Sequence, residues 1–195
     1  MTREVQSTLR AYQSRLATAI SSIETQSVER LVGRLLECRE VESRVFLAGN
    51  GGSASTASHF AIDWMLGSGL VNPALQVISL SDSPPSLTAT GNDMSFDQVF
   101  SRQVRALGRP GDLLVLVTAS GNSKNLIEAA IASRESGLTS LSITAFDGGL
   151  LKQMTDDNIH VQTEIGDYGV AEDCHLALGH MVKQVLASLD DTSRE

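Results

Sequence analysis

Cysteine is scarce in this chain of 195 residues: only Cys38 and Cys174 occur, far apart and without metal-like spacing. That excludes a disulfide framework and a cysteine-rich metal site, and it suits a reducing cytoplasm. Long apolar runs are missing too. None approaches the ~18 residues of a membrane span, and no signal peptide is recognisable, so neither a membrane nor export is expected. Basic charge is short, with 15 Lys and Arg against 23 Asp and Glu and a net charge of −8. A nucleic-acid surface normally carries a basic stripe, so no nucleic acid is expected as a partner. What remains is 42% hydrophobic and 19% charged residues, the balance of a globular protein. The length suits one α/β domain over 1–195, with disorder expected only in a tail at 190–195.

Residues 1–40 read as helical. Val5, Leu9, Tyr12, Leu16, Ile20 and Ile23 recur every three or four positions, the stripe of a long amphipathic helix. Such a helix packs either on a partner subunit or on the chain's own sheet. Ser27 is placed to cap a second helix over 28–38. From 41 to 189 strands and helices alternate. Strands are predicted over 44–48, 75–80, 112–117, 139–144 and 159–162, with a loop over 67–73 after the first strand's helix. Helices are predicted over 55–66, 86–90, 97–107, 124–135, 148–154 and 170–189, with Gly91-Asn92-Asp93 breaking the run between the second and third. The unbroken apolar run Leu113–Val117 implies burial on both faces and a central parallel strand. This alternation predicts a doubly wound, five-stranded parallel sheet of flavodoxin-like type with helices on both faces.

Two strand-to-helix turns stand out. The first strand breaks at Gly49-Asn50-Gly51-Gly52, and Ser53, Ser55 or Thr56 can cap the helix that follows. The second turn, Thr118-Ala119-Ser120-Gly121-Asn122-Ser123, has the same character. Both open at the carboxyl edge of a parallel sheet, where free N–H groups and positive helix ends can cradle an anion. Together they suit one small phosphorylated molecule. Neither is a Walker loop, because no Gly-Lys-Ser/Thr follows. Residues 49–54 also satisfy the loose pattern G-x-G-x-x-A, but Asp82 lies too far on to serve as the ribose acid, so no nucleotide cofactor is expected.

Titratable groups gather on two helices. His59 and Asp63 lie at i and i+4, on one face. Taken alone, such a pair also suits a half-buried histidine kept soluble by a carboxylate. The last helix carries Glu172, Asp173, His175 and His180 beside an apolar set of Leu176, Met181, Val182, Val185 and Leu186. Spacing alone pairs Glu172 with His175, while His180 lies two turns further and about 80° around from Glu172. Histidines and carboxylates together suit a divalent metal such as zinc, or proton transfer without one.

The series GNGGSAS, a helix with H-F-A, GND, SGNS and a last helix ending in a histidine resembles the sugar isomerase (SIS) domain family over essentially the whole chain. Within it the closest likeness is to the branch that converts sedoheptulose 7-phosphate to D-glycero-D-manno-heptose 7-phosphate. The resemblance implies that Asn50, Gly51, Gly52 and Ser53 line the substrate, and that Asn92 and Asp93 contact its sugar part. Thr118, Ala119, Ser120 and Ser123 form the phosphate loop. His59, Asp63, Glu172 and His180 match a metal site, and Asp63 and His180 an acid/base pair. It also implies a homotetramer with sites shared between subunits, which would give the N-terminal helices a role in oligomerisation. Four positions depart from the family pattern. Asp63 stands for a glutamate, one methylene shorter by ~1.5 Å. Glu172 stands for a glutamine, adding a charge that would tighten a metal or, beside Asp63, raise a carboxyl pKa. Ala119 stands for a hydroxyl, and Gly67 for an arginine. A second branch of the family is non-catalytic, a tetrameric adaptor for the bacterial replication initiator, and a sugar-phosphate sensor is a variant of it. The adaptor branch lacks the acid/base pair, whereas Asp63 and His180 are both ionisable.

Overall fold

The computed structural model describes residues 1–70 and 73–192, with side chains followed as far as Leu189. In chain order the elements are α1 (Thr2–Ser21), α2 (Thr25–Glu40), β1 (Arg44–Gly49), α3 (Gly52–Met65), β2 (Gln76–Ser79) and α4 (Pro84–Asp93). A single 3-10 turn (Phe96–Gln98) leads to α5 (Ser101–Leu107), β3 (Leu113–Thr118), α6 (Lys124–Glu135), β4 (Thr139–Thr144), α7 (Leu151–Met154), β5 (Asp157–His160) and α8 (Tyr168–Thr192). All five strands are parallel, in the order β2-β1-β3-β4-β5. This is the predicted doubly wound sheet, and its winding reverses between β1 and β3.

The patterning explains the layers. β3 is buried along its whole length because it lies between β1 and β4 and is covered on both faces. β2, at the edge, alternates exposed and buried residues. Alternate side chains of β1 and β3 point to opposite faces. Val45, Leu47, Val115 and Val117 meet Leu31, Phe60, Trp64 and Leu178, while Phe46, Leu114 and Leu116 meet Val104, Leu126 and Ala129. The second half of α1 packs on α8 rather than on the sheet, with Tyr12, Leu16 and Ile20 against Val170 and Cys174. The Tyr12 hydroxyl donates to Asp173 Oδ2 at 2.6 Å. Val5 and Leu9, in its first half, stay exposed.

Several boundaries move, each for a local reason. Ser27 does not cap α2; the helix starts at Thr25 and the Ser27 hydroxyl donates to the Glu24 carbonyl. Helix α3 begins at Gly52 rather than 55, because Gly51 takes φ +52 as its N-cap, and Ser53, Ser55 and Thr56 lie inside it. Gly91, Asn92 and Asp93 do not interrupt a helix but end α4, which the Ser83 side chain caps. The helix predicted over 97–107 is the 3-10 turn followed by α5. Gly148 and Gly149 have φ of +85 and +54, so α7 starts only at Leu151. β5 comes two residues early, at Asp157–His160. Helix α8 runs to Thr192, so 190–192 continue it instead of forming a tail. Residues 193–195, and Val71 and Asn72 of the predicted loop, lie outside the described residues.

Helices α3 and α8 cross where the chain has no side chain at Gly179. Phe60 lies against that glycine, stacked on Trp64 with ring centroids 4.8 Å apart, and Trp64 Nε1 donates to the Gly179 carbonyl at 3.2 Å. A methyl group at 179 would overlap the Phe60 ring. Gly179→Ala is therefore expected to destabilise the protein by about 1–3 kcal/mol through overpacking. Urea unfolding measures it, and an unchanged midpoint would show that the crossing has slack.

Candidate active site

The two singled-out turns follow β1 and β3, so both open where the winding of the sheet reverses and a crevice forms. The first N–H groups of α3, at Gly52 and Ser53, have no partner within the helix. Asn50, Ser53, Thr118, Ala119, Ser120, Ser123 and Glu172 line one cavity of about 140 Å³ with Val117 and Tyr168. The second turn is braced from within: Gly121 N–H donates to Thr118 Oγ1 at 3.2 Å and Asn122 N–H to Ser120 Oγ at 3.3 Å. The turns are also tied to each other. Asn50 Nδ2 donates to Asn125 Oδ1 at 2.9 Å, and Asn125 Nδ2 returns a bond to Asn50 Oδ1 at 2.8 Å. Asn125 was not foreseen from the sequence. Its one signal there is an amide beside Leu126 on a helix otherwise patterned for burial, and in the structure it is buried.

A second group lies further along α3 and α8. His59 Nε2 and His180 Nε2 face each other at 3.1 Å. Asp63 Oδ2 stands 3.5 Å from the first and 3.7 Å from the second. That oxygen is buried and accepts no hydrogen bond, whereas Oδ1 accepts one from Lys183 Nζ at 3.0 Å. Three lone-pair atoms thus converge, and together they form a group able to hold a metal ion. Donors around a tetrahedral ion at about 2.0–2.1 Å stand about 3.3–3.4 Å apart. The observed separations bracket that value. The donor set, two imidazoles and one carboxylate, is that of an open catalytic site with a free fourth position.

Other expected site residues lie elsewhere. Glu172 is eight residues from His180 on α8, about 12 Å along the helix, and its carboxylate lies against Gly52 at the start of α3. It therefore does not join the His59–Asp63–His180 group within one chain, and it does not stand beside Asp63. Nor does it pair with His175, which is fully buried. Asn92 and Asp93 are exposed at the end of α4, bonded to each other at 2.9 Å, and outside the cavity. The apolar set foreseen on the last helix divides: Val182 and Leu186 are buried, while Met181 and Val185 are exposed, Val185 along a groove against α2.

The SIS domain family matches residues 10–145. The chain belongs to that family. A phosphoheptose isomerase of Chlorobaculum parvum is 35% identical over 180 residues, covering 91% of this chain and 86% of that protein. The solved structure of phosphoheptose isomerase from Neisseria gonorrhoeae superposes with a TM-score of 0.85 at 32% identity, covering 96% of this chain and 100% of the other. A phosphoheptose isomerase from Francisella tularensis has the same TM-score at 23% identity, a likeness of fold. No helix among the described residues of this SIS domain is long and apolar enough to cross a membrane.

His175 belongs to the core of the SIS domain rather than to its chemistry. Neither ring nitrogen has a well-formed hydrogen bond, and burial, opposed by the nearby Thr144 backbone and aided by His160, pushes the imidazole down to about 4. Unfolded, it titrates near ~6.5. A folded pKa below the unfolded one leaves its contribution intact above that value and removes it as pH falls toward 4, because the unfolded chain binds the proton first. The loss is on the order of 3 kcal/mol. His175→Leu is expected to flatten the fall in stability between pH 6.5 and pH 4, read by urea unfolding. Equal falls in both proteins would place the acid sensitivity elsewhere.

Proposed function

We propose that this SIS domain is a phosphoheptose isomerase, converting sedoheptulose 7-phosphate to D-glycero-D-manno-heptose 7-phosphate through an enediol. The observation that carries the reading is the convergence of His59, Asp63 and His180 about two turns along α3 from a cradle of amides and hydroxyls. Relatives named phosphoheptose isomerase, aligned over nine-tenths of the chain, support the substrate. A non-catalytic adaptor has no use for such a cluster.

In this reading Asn50, Gly51, Gly52 and Ser53 line the substrate, and Thr118, Ser120 and Ser123, with the backbone at Ala119, hold the phosphate. Asn92 and Asp93 contact the sugar. Fixing the phosphate orients the reacting end without taking part in the chemistry. Asp63 removes a proton from C1 of the ketose as O2 takes one up from solvent, and the enediol forms. His180, as the acid, then returns a proton to C2 as O1 releases its own to solvent. His59, Asp63 and His180 would hold a divalent ion such as zinc. When bound, that ion supplies positive charge beside the oxygen on which negative charge develops.

We also propose a homotetramer with sites shared between subunits. Asn92, Asp93 and Glu172 stand apart from the cluster in a single chain, and Ile62 and Leu66, on α3 beside Asp63, expose apolar surface. An apolar patch beside an incomplete site suits cover by a second copy. Two free, buried cysteines suit a cytoplasmic setting.

NMR of the purified protein with sedoheptulose 7-phosphate in D2O, with and without zinc, tests the assignment. The expected result is heptose 7-phosphate carrying deuterium at C2, with turnover lowered about 10²- to 10⁴-fold in a folded His180→Ala variant. No turnover under either condition would rule out the heptose reaction.

A further inference from the structure

We propose that Lys183 is the positioning residue for Asp63, fixing its carboxylate through Oδ1 so that Oδ2 alone faces the histidine pair. The inference rests on the isomerase reading above. Lys183 follows His180 by three residues on α8, so its side chain leaves the same face of the helix. It reaches across to Gly67, just past the end of α3. A Cβ at 67 would stand 2.7 Å from Lys183 Cε and 2.9 Å from Nζ, so the missing side chain is the space that the lysine occupies. The same point lies 2.9 Å from the Asp63 carbonyl oxygen, among the last carbonyls of α3, where a cation is favoured. From that seat Nζ donates to Asp63 Oδ1 at 3.0 Å, the one hydrogen bond on this carboxylate among the described residues.

Geometry makes the bond consequential. An aspartate carboxylate left to itself turns freely about its last torsion and presents either oxygen. With Oδ1 held by a charge-assisted bond, Oδ2 is left unpartnered at 3.5 Å and 3.7 Å from His59 and His180. Lys183 therefore selects which oxygen serves the cluster. Its side chain is about one-third exposed, and such an ion pair contributes little to stability, so removing it leaves the fold intact.

Lys183→Met, Lys183→Arg, Gly67→Ala and the double variant Lys183→Met/Gly67→Ala test the role, assayed on sedoheptulose 7-phosphate alongside a crystal structure of Lys183→Met. Lys183→Met is expected to lower kcat about 10- to 100-fold with KM within about 3-fold, and Lys183→Arg to restore most of it. Gly67→Ala, whose methyl would meet both the lysine and the Asp63 carbonyl, should lower kcat as well, and its effect should shrink in the Lys183→Met background, where only the overlap with the carbonyl and the neutral side chain is left. In the Lys183→Met crystal Asp63 Oδ2 should have left its place between the histidines. A wild-type kcat in Lys183→Met, or an Asp63 carboxylate that has not moved, overturns the proposal. If the unaltered protein does not turn the substrate over, the isomerase reading fails, and the role of Lys183 is decided by the carboxylate position alone.

Discussion

The crossing of α3 and α8 is the constraint on which the candidate chemistry depends. Gly179 lets Phe60 and Trp64 approach the backbone of α8, and the indole nitrogen bonds that backbone directly. At adjoining positions of the same two helices, His59 and Asp63 meet His180 and Lys183. The two pairs are more than a hundred residues apart in the chain, so only this contact makes them neighbours. A close-packed crossing transmits small shifts, since interiors have little free volume to absorb them. Precision at the cluster is therefore set by apolar packing beneath it.

The sheet supplies the second half of the arrangement. Its winding reverses between β1 and β3, which leaves the turns after both strands side by side with no crossover helix between them. The Asn50–Asn125 amide pair locks those turns at a fixed separation. Glu172 enters the same cavity with a carboxylate at the N-terminus of α3, a position that the helix dipole favours for an anion. The cradle and the cluster thus share α3 and α8, one group at their starts and the other farther along.

Much of this was legible in the residues. The parallel sheet followed from strands alternating with helices and from the unbroken run Leu113–Val117, and α6 and β4 were predicted to the residue. The phosphate-type turns and the His59–Asp63 pair were also visible, while His180 joined that pair only through the family resemblance. Helix ends were less so. Ser27, Ser53 and Thr56 are good capping types, yet α2 starts from an extended Glu24 and α3 from Gly51, whose positive φ a glycine adopts freely, both without a side-chain cap. Glu172 was grouped with the histidines by the family resemblance, while eight residues of helical rise carry it to the other end of the site.

Sequence by itself determined the elements, the sheet and the types of group available, since these depend on periodicity and on residues near one another in the chain. Tertiary structure alone decided the pairings: Asn50 with Asn125, Lys183 with Asp63 over the space at Gly67, and the isolation of His175 in the core. Each joins positions from separate helices or turns, and nothing in the local pattern encodes which surfaces of those elements will meet. That choice belongs to the packing of α3, α6 and α8 on the sheet, where shape and volume select one arrangement.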